Sequence, residues 1–240
     1  MNKIICHIPH SSIIIPDWAK EQFIISSNEL QSFALKMQDK YILELFDFAE
    51  NKLILPISRI VVDVERYRND NIEPMAKIGM GLYYLKDDKG NIIRKDCIDY
   101  RNKIYEIYDN HHKSFEAIIS NFLKNEGFCY ILDCHSFHKE LNYTKFDNNN
   151  YPDVCIGFNE NIPPIEALEI KSIFENNGYT VKFNNPFEGS IIPLKYLNDN
   201  NVKSIMLEIN RNVCNSEDKF TKTKELCIKT YKYLENKKRA

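Results

Sequence analysis

Three apolar runs each end in a residue able to do chemistry: His10 follows the run Lys3 to Cys6, His135 follows Phe128 to Leu132, and Glu208 lies near the end of Ser204 to Arg211. Asp63, Glu65 and Arg66 close a further apolar stretch, Arg211 closes the last, and Asp39 opens a helical pattern nearby. Two imidazoles, several carboxylates and two arginines make a mixture that a structural core tolerates only with strong pairing. The set suits a catalytic zinc site, in which three nitrogen or oxygen ligands leave a position open and a free glutamate acts as base. The arginines then supply a fork for a substrate carboxylate and a charge for a tetrahedral oxyanion. No compact motif such as His-Glu-x-x-His is present, so distant segments must assemble the site.

The elements that would position these residues follow from periodicity. Lys3 to Cys6 reads as a buried strand that Pro9 ends, placing His10, Ser11 and Ser12 in a loop over the sheet edge. His7, still within that strand, has the bland reading of a packed histidine with a satisfied ring nitrogen. Residues 17–35 read as an excursion with short turns opening at Asp17 and Ser27. Tyr41, Ile42, Leu45, Phe46 and Ala49 then form a helical stripe whose first turn holds Asp39. That aspartate is either a cap for free amides or a group facing the same crevice as His10.

Residues 52–66 read as two short β runs divided by Pro56, and period two sets Arg59, Asp63 and Glu65 on one face. An irregular stretch with a hairpin over 82–93 follows, and then a long helix from Asp96 to Asn125, ended by Gly127. His111 and His112 sit at the start of its apolar face, as core or as site residues. Side chains alternate on the central strand, so Cys134 points away from the face shared by Asp133 and His135, against a nucleophilic role. A polar surface loop is expected over 138–151. A β–α–β unit follows, with a strand at 152–157, a helix from Pro163-Pro164 to Gly178 and a strand at 179–183. The strand 204–211 and a C-terminal helix from Ser216 to about Lys237 complete a single α/β domain over 1–240. Its sheet is largely parallel or mixed, sandwiched between helices.

Composition narrows the function classes. The 240 residues carry a formal net charge of −2, so no basic excess points to nucleic acid. Apolar runs such as Ile13 to Ile15 fall far short of a membrane span, and the start of the chain lacks a signal-peptide pattern. Seven cysteines scattered without Cys-x-x-Cys spacing signal neither a disulfide framework nor a thiolate zinc knuckle. The expectation is a cytoplasmic protein.

Eight motifs, in order and spread over nearly the whole chain, resemble the N-formylglutamate amidohydrolase family. They are His7-Ile-Pro-His-Ser-Ser12, the segment Ser58 to Arg66, Met75-x-x-x-Gly-Met-Gly81, His111-His112, Asp133-Cys-His-Ser-Phe137, the segment Pro152 to Gly157, Asn185-Pro-Phe-x-Gly189 and Met206 to Arg211. The resemblance implies a three-layer α/β/α sandwich around a mixed, largely parallel sheet, similar to the zinc carboxypeptidases. It also implies zinc-dependent hydrolysis of the N-formyl, or a related N-acyl, amide of glutamate or a similar amino acid, a small anionic substrate.

Carried over residue by residue, His135 resembles the ligating histidine of an Asp-x-His-Ser motif and Glu208 the general base on the last strand. Arg66 resembles the arginine that binds the substrate α-carboxylate, and Asp63 the aspartate that orients a zinc-bound histidine. Ser11, His112, Asn185, Asn210 and Arg211 are the further substrate contacts the motifs imply. Two positions depart from the carboxypeptidase pattern. Ile13 stands where the glutamate of His-x-x-Glu is expected, so the metal set is written His10, Asp39 and His135, with His7 or Glu65 as the other candidates for the third ligand. Glu65 replaces an asparagine and either pairs with an arginine or ligates. Two other functions remain open at this level: a carboxypeptidase-like amidase on short peptides or cell-wall fragments, and a metal-free binding module on the same fold.

Overall fold

A computed structural model of the chain describes residues 3–138, 151–160 and 163–237, with the side chain of Asp99 left aside. One six-stranded sheet organises them. Strands β1 (Ile4–Ile8), β2 (Lys52–Ile54), β3 (Cys129–Phe137), β4 (Val154–Gly157), β5 (Val181–Phe183) and β6 (Val202–Asn210) lie in the order β2-β1-β3-β6-β4-β5. The first four strands of that order are parallel, whereas β4 pairs antiparallel with β6 and parallel with β5. Every residue of β1, β3 and β4 is buried, as expected of strands covered on both faces.

Alternation divides the sheet into two cores. On one face Cys6, Ile8, Leu132, Cys134, Leu207 and Ile209 pack with three helices: α3 (Ile42–Leu45), α5 (Ile165–Glu175) and α6 (Glu217–Glu235). On the other, Ile5, Cys129 and Ile131 meet Phe115, Ile119 and Phe122 of the long helix α4 (Ile98–Glu126). The result is the three-layer α/β/α sandwich with a mixed, largely parallel sheet. Gly127 ends α4 in the left-handed region at φ 76°, where a side chain would be strained. His7, Asp133, His135 and Glu208 have the parity of Ile5 and Ile131, so all four lie on the α4 side.

Several expected elements differ. Residues 59–66 form no strand: the amides of Val61 and Val62 bond back to the Ser58 carbonyl, and Arg66 N bonds to Asp63 O. The β-branched run Ile60 to Val62 is buried at all three consecutive positions, which tertiary packing on two neighbouring cores allows and simple alternation does not. Over 82–93 the hairpin reduces to isolated bridges, Met80 with Tyr84 and Lys86 with Ile92. The excursion at 17–35 contains helices α1 (Asp17–Lys20) and α2 (Ser27–Met37). Ser26 and Glu29 close a capping box on α2, whose buried stripe is Leu30, Phe33, Ala34 and Met37. The helix expected from Asp39 shrinks to α3, because Tyr41 adopts φ 75° and breaks the periodic pattern. Asp39 therefore lies in the turn between α2 and α3 rather than in a helix's first turn. The surface loop expected at 138–151 falls, over 139–150, outside the described residues. Among the described residues no helix is long and apolar enough to cross a membrane.

Candidate metal centre and active site

The carboxyl ends of parallel strands place the first groups. Register sets His7 beside Asp133 and His135 beside Glu208 across three adjacent strands, where the loops of an α/β sheet converge on a crevice. The turn carrying Asp39 is fastened over these ends from several directions. Asp39 N donates to His10 O at 2.8 Å, Ser136 Oγ donates to Lys40 O at 2.8 Å, and Gln38 Nε2 donates to Ser11 O at 2.7 Å. Arg211 Nη2 donates to Gln38 O.

Loop 59–66 supplies the rest, and Asp63 is its anchor. Fully buried, this carboxylate accepts from Arg59 Nη2 at 2.8 Å and Nε at 3.1 Å, from Tyr84 Oη at 3.0 Å and from Glu65 N at 3.2 Å. Its Oδ1 lies 2.8 Å from His10 Nε2, and Arg66 Nε stands 3.6 Å from its Oδ2. Burial would raise its pKa, but the charges of Arg59, His10 and Arg66 hold it well below the usual carboxylate range.

The two histidines are oriented alike. His10 Nε2 faces Asp63, and His135 Nε2 faces Asp133 Oδ1 at 3.0 Å. An aspartate on one ring nitrogen fixes the tautomer and turns the other nitrogen toward a ligand. His10 Nδ1 is buried without a hydrogen-bond partner, 3.7 Å from Asp39 Oδ2, while His135 Nδ1 lies 2.8 Å from the same oxygen. The rings stand 5.1 Å apart. Glu65 also reaches both rings, its Oε2 3.6 Å from His10 Nδ1 and its Oε1 3.1 Å from His135 Nε2. The ligating atoms of His10, Glu65 and His135 all lie within 4.8 Å of one another. Two carboxylates thus contact both histidines, and an imidazole nitrogen orphaned in a buried, carboxylate-lined space fits a divalent cation of the zinc class.

Protonation follows from the crowding. Burial opposes ionisation of Asp39 and Glu65, yet contacts with His10 and His135 hold both below their ordinary values, and the same carboxylates raise His135. Glu208 behaves oppositely. Burial pushes it up to about 8; His135 and Arg59 oppose that rise, while Asp39 and Glu65 add to it. One of its oxygens, Oε2, is buried with no hydrogen-bond partner. A carboxyl poised near neutrality beside a histidine pair has the properties of a general base or acid.

His10, His135, Asp39, Asp63, Glu65 and Glu208 come together as the sequence leads one to expect. Glu65 meets three histidines, His7, His10 and His135, and among the described residues it forms no ion pair with an arginine. Arg66, with its side chain 18% exposed, lies beside Asp63. Ser11 is buried beside His10 with its hydroxyl unpartnered. Other expected substrate contacts differ. Asn210 is buried and its amide serves the chain, donating to Pro152 O at 3.1 Å and accepting from Asn212 N at 3.1 Å. His112 lies 2.9 Å from the Val64 carbonyl and packs on Tyr108, whose hydroxyl bonds to Arg66 O, so it supports the loop backbone.

Asn185 is exposed, on a loop held over the sheet end by Asn184, which accepts from Phe158 N at 3.0 Å and Gly189 N at 3.2 Å. That loop needs Gly157: a Cβ there would stand 2.1 Å from Gly189 O. Of two further contributors, Arg59 carried no assigned role in the sequence, and His7 stood only as an alternative third ligand. Arg59 reaches both Asp63 and, at 4.0 Å, Asp39; its spacing of four residues before Asp63 was the available signal. His7 is fully buried with both ring nitrogens engaged, as the packed reading requires, yet its partners are Asp133 and His111.

Comparison with known proteins shows the family and the fold. A family model described as FGase, N-formylglutamate amidohydrolase, matches residues 2–214. The crystal structure of an N-formylglutamate amidohydrolase from Ralstonia eutropha superposes with a TM-score of 0.79 at 17% identity, over 97% of this chain and 92% of that one. A gene product of Agrobacterium tumefaciens gives 0.70 at 19% identity, over 98% and 91%. Both share the fold. No curated protein matches the sequence.

Proposed function

Because the chain belongs to the N-formylglutamate amidohydrolase family, we propose that residues 1–240 form one catalytic domain, a zinc-dependent hydrolase of N-formylglutamate or a related N-acyl amino acid. The observation that carries this reading is the matched pair His10 and His135. Each has its Nε2 on an aspartate and its Nδ1 toward Asp39, beside a glutamate raised to about 8. His10, His135 and Asp39 would hold the ion, since the outer nitrogen of each ring is already taken by Asp63 or Asp133. Zinc bound there supplies Lewis acidity, which polarises the amide carbonyl and acidifies water.

The chain's own residues do the rest. Glu208 takes a proton from the attacking water and returns it to the departing nitrogen, a transfer suited to a carboxyl whose pKa lies near the working pH. Arg66 and Arg211 offer guanidinium forks to an anionic substrate, and Arg59 steadies negative charge developing near Asp39. The products are formate, or the corresponding acid, and the free amino acid. Seven free thiols suit a reducing compartment, which supports a cytoplasmic site of action.

The direct test is to incubate the zinc-loaded protein with N-formylglutamate and measure formate. No release across a panel of N-acyl amino acids would sink the reading. Glu208→Gln should keep the metal while turnover falls by roughly 10²–10⁴. His135→Ala should lose the metal, as measured by elemental analysis of the dialysed protein.

A further inference from the structure

Below the histidine pair, on the α4 side of the sheet, lies a second convergence of ligating atoms. His7 Nδ1 stands 2.9 Å from Asp133 Oδ1 and 3.5 Å from Glu65 Oε1, and the three donors lie within 4.8 Å of one another. Bonds of about 2.0–2.1 Å in tetrahedral geometry separate zinc ligands by roughly 3.3 Å, so both distances bracket the spacing a zinc-class cation imposes.

The electrostatics of the two carboxylates set them apart from their neighbour Asp63. Asp63 has Arg59, Arg66 and a tyrosine hydroxyl. Among the described residues, buried Asp133 and partly exposed Glu65 meet only imidazoles as ion-pair partners: His7 and His135 for the first, His7, His10 and His135 for the second. Buried carboxylates without a permanent cation are costly unless paired or bound to metal.

His7 is set as a ligand is. Its ring stacks on Phe115 with centroids 4.8 Å apart, and its Nε2 is 3.0 Å from His111 Nε2, so a neighbouring group occupies the outer nitrogen while Nδ1 faces the carboxylates. Asp133 Oδ1 has lone pairs enough to keep its bond from His135 Nε2 and still ligate.

We propose that His7, Glu65 and Asp133 hold a second divalent cation beside the zinc centre. Glu65 reaches both positions, because its Oε2 lies 3.6 Å from His10 Nδ1. Three protein donors leave this cation an open position, as in catalytic sites. The inference extends the proposed zinc centre without depending on it, and the two fail separately.

The test is to strip the full-length protein with chelator, titrate it with Co2+ or Zn2+, and count bound metal by elemental analysis and native mass spectrometry. The wild type should bind two equivalents. His7→Gln should lower affinity for one of them by tenfold or more and leave the other, whereas His10→Ala should do the reverse. Should His7→Gln not fold, Glu65→Gln, a change at a partly exposed side chain, should still remove one equivalent. One equivalent in the wild type, or a count of two unmoved by His7→Gln and Glu65→Gln, overturns the second cation. A count unmoved by His10→Ala instead overturns the first.

Discussion

The ends of β1, β3 and β6 and the loop 59–66 supply the same site but are held in different ways. His135 and Glu208 stand opposite each other in a nine-residue parallel ladder, so their spacing is set by backbone hydrogen bonds repeated along the whole strand. The loop has no such ladder. Two backbone bonds to residues 82–84 and a few side chains place it: Asp63 gathers His10, Arg59 and Tyr84, and fully buried Arg94 donates to the carbonyls of Ile60 at 3.3 Å and Val61 at 3.1 Å while gripping Gln22 Oε1. The strand half of the site should tolerate single substitutions, whereas the loop half concentrates its geometry in a few buried polar groups.

Asp63→Ala tests that contrast most severely. It leaves a half-buried guanidinium and a buried phenol and imidazole without their common acceptor, a loss of about 3–5 kcal/mol. For a chain of this length that lowers Tm by roughly 10 °C. Metal affinity should fall roughly 10–100-fold as His10 loses its orienting partner. A melt within a degree or two of the wild type would show that the loop is held by something else.

Arg94→Met is the next step down. It touches no site residue, yet it removes the bonds to Gln22, Ile60 and Val61, at roughly 1–3 kcal/mol. Metal affinity should weaken with the displacement of Asp63 and Glu65. Full stability with normal metal binding would rule out a role for Arg94 in placing the loop.

The same division explains what could be read from sequence. The run Phe128 to Leu132 leads directly into Asp133 and His135, and period two alone assigns their face and that of Cys134; both follow from local backbone geometry. The loop obeys no local rule. Ile60-Val61-Val62 has strand composition, but its backbone closes on Ser58 because Leu82, Tyr84 and Arg94 bind it from residues far along the chain. The approach of Asp39 to His10 was legible, though not its support: a left-handed Tyr41 cuts the helix short, and Ser136, Gln38 and Arg211 hold the turn. The antiparallel direction of β4 likewise depends on packing that no single segment encodes.

On the strand side, Glu208 gives a pH signature in the chelated protein. Its folded pKa, raised by burial to about 8, exceeds the ordinary value of 4.5, so folding favours the protonated form. The stabilisation is complete below about 4.5 and is lost as pH rises through about 8. Glu208→Gln, always neutral, should remove that slope. The Tm of chelated wild type relative to Glu208→Gln should therefore decline steadily from pH 5 to pH 8; parallel curves would place Glu208 in an ordinary carboxylate environment.

Cys134→Ala should show the smallest effect and marks the limit of the strand half. The thiol lies one residue from His135, but on the opposite face among Cys6, Leu132 and Leu207; burial drives its pKa well above the ordinary thiol value, and it donates to Leu132 O. Removing one buried sulfur costs about 1 kcal/mol. Since β3 keeps its ladder to β6, metal stoichiometry should be unchanged and turnover should stay within twofold. A large loss of turnover with metal retained would reopen the thiol as a nucleophile, and would mean that the backbone ladder does not insulate one face of the strand from the other.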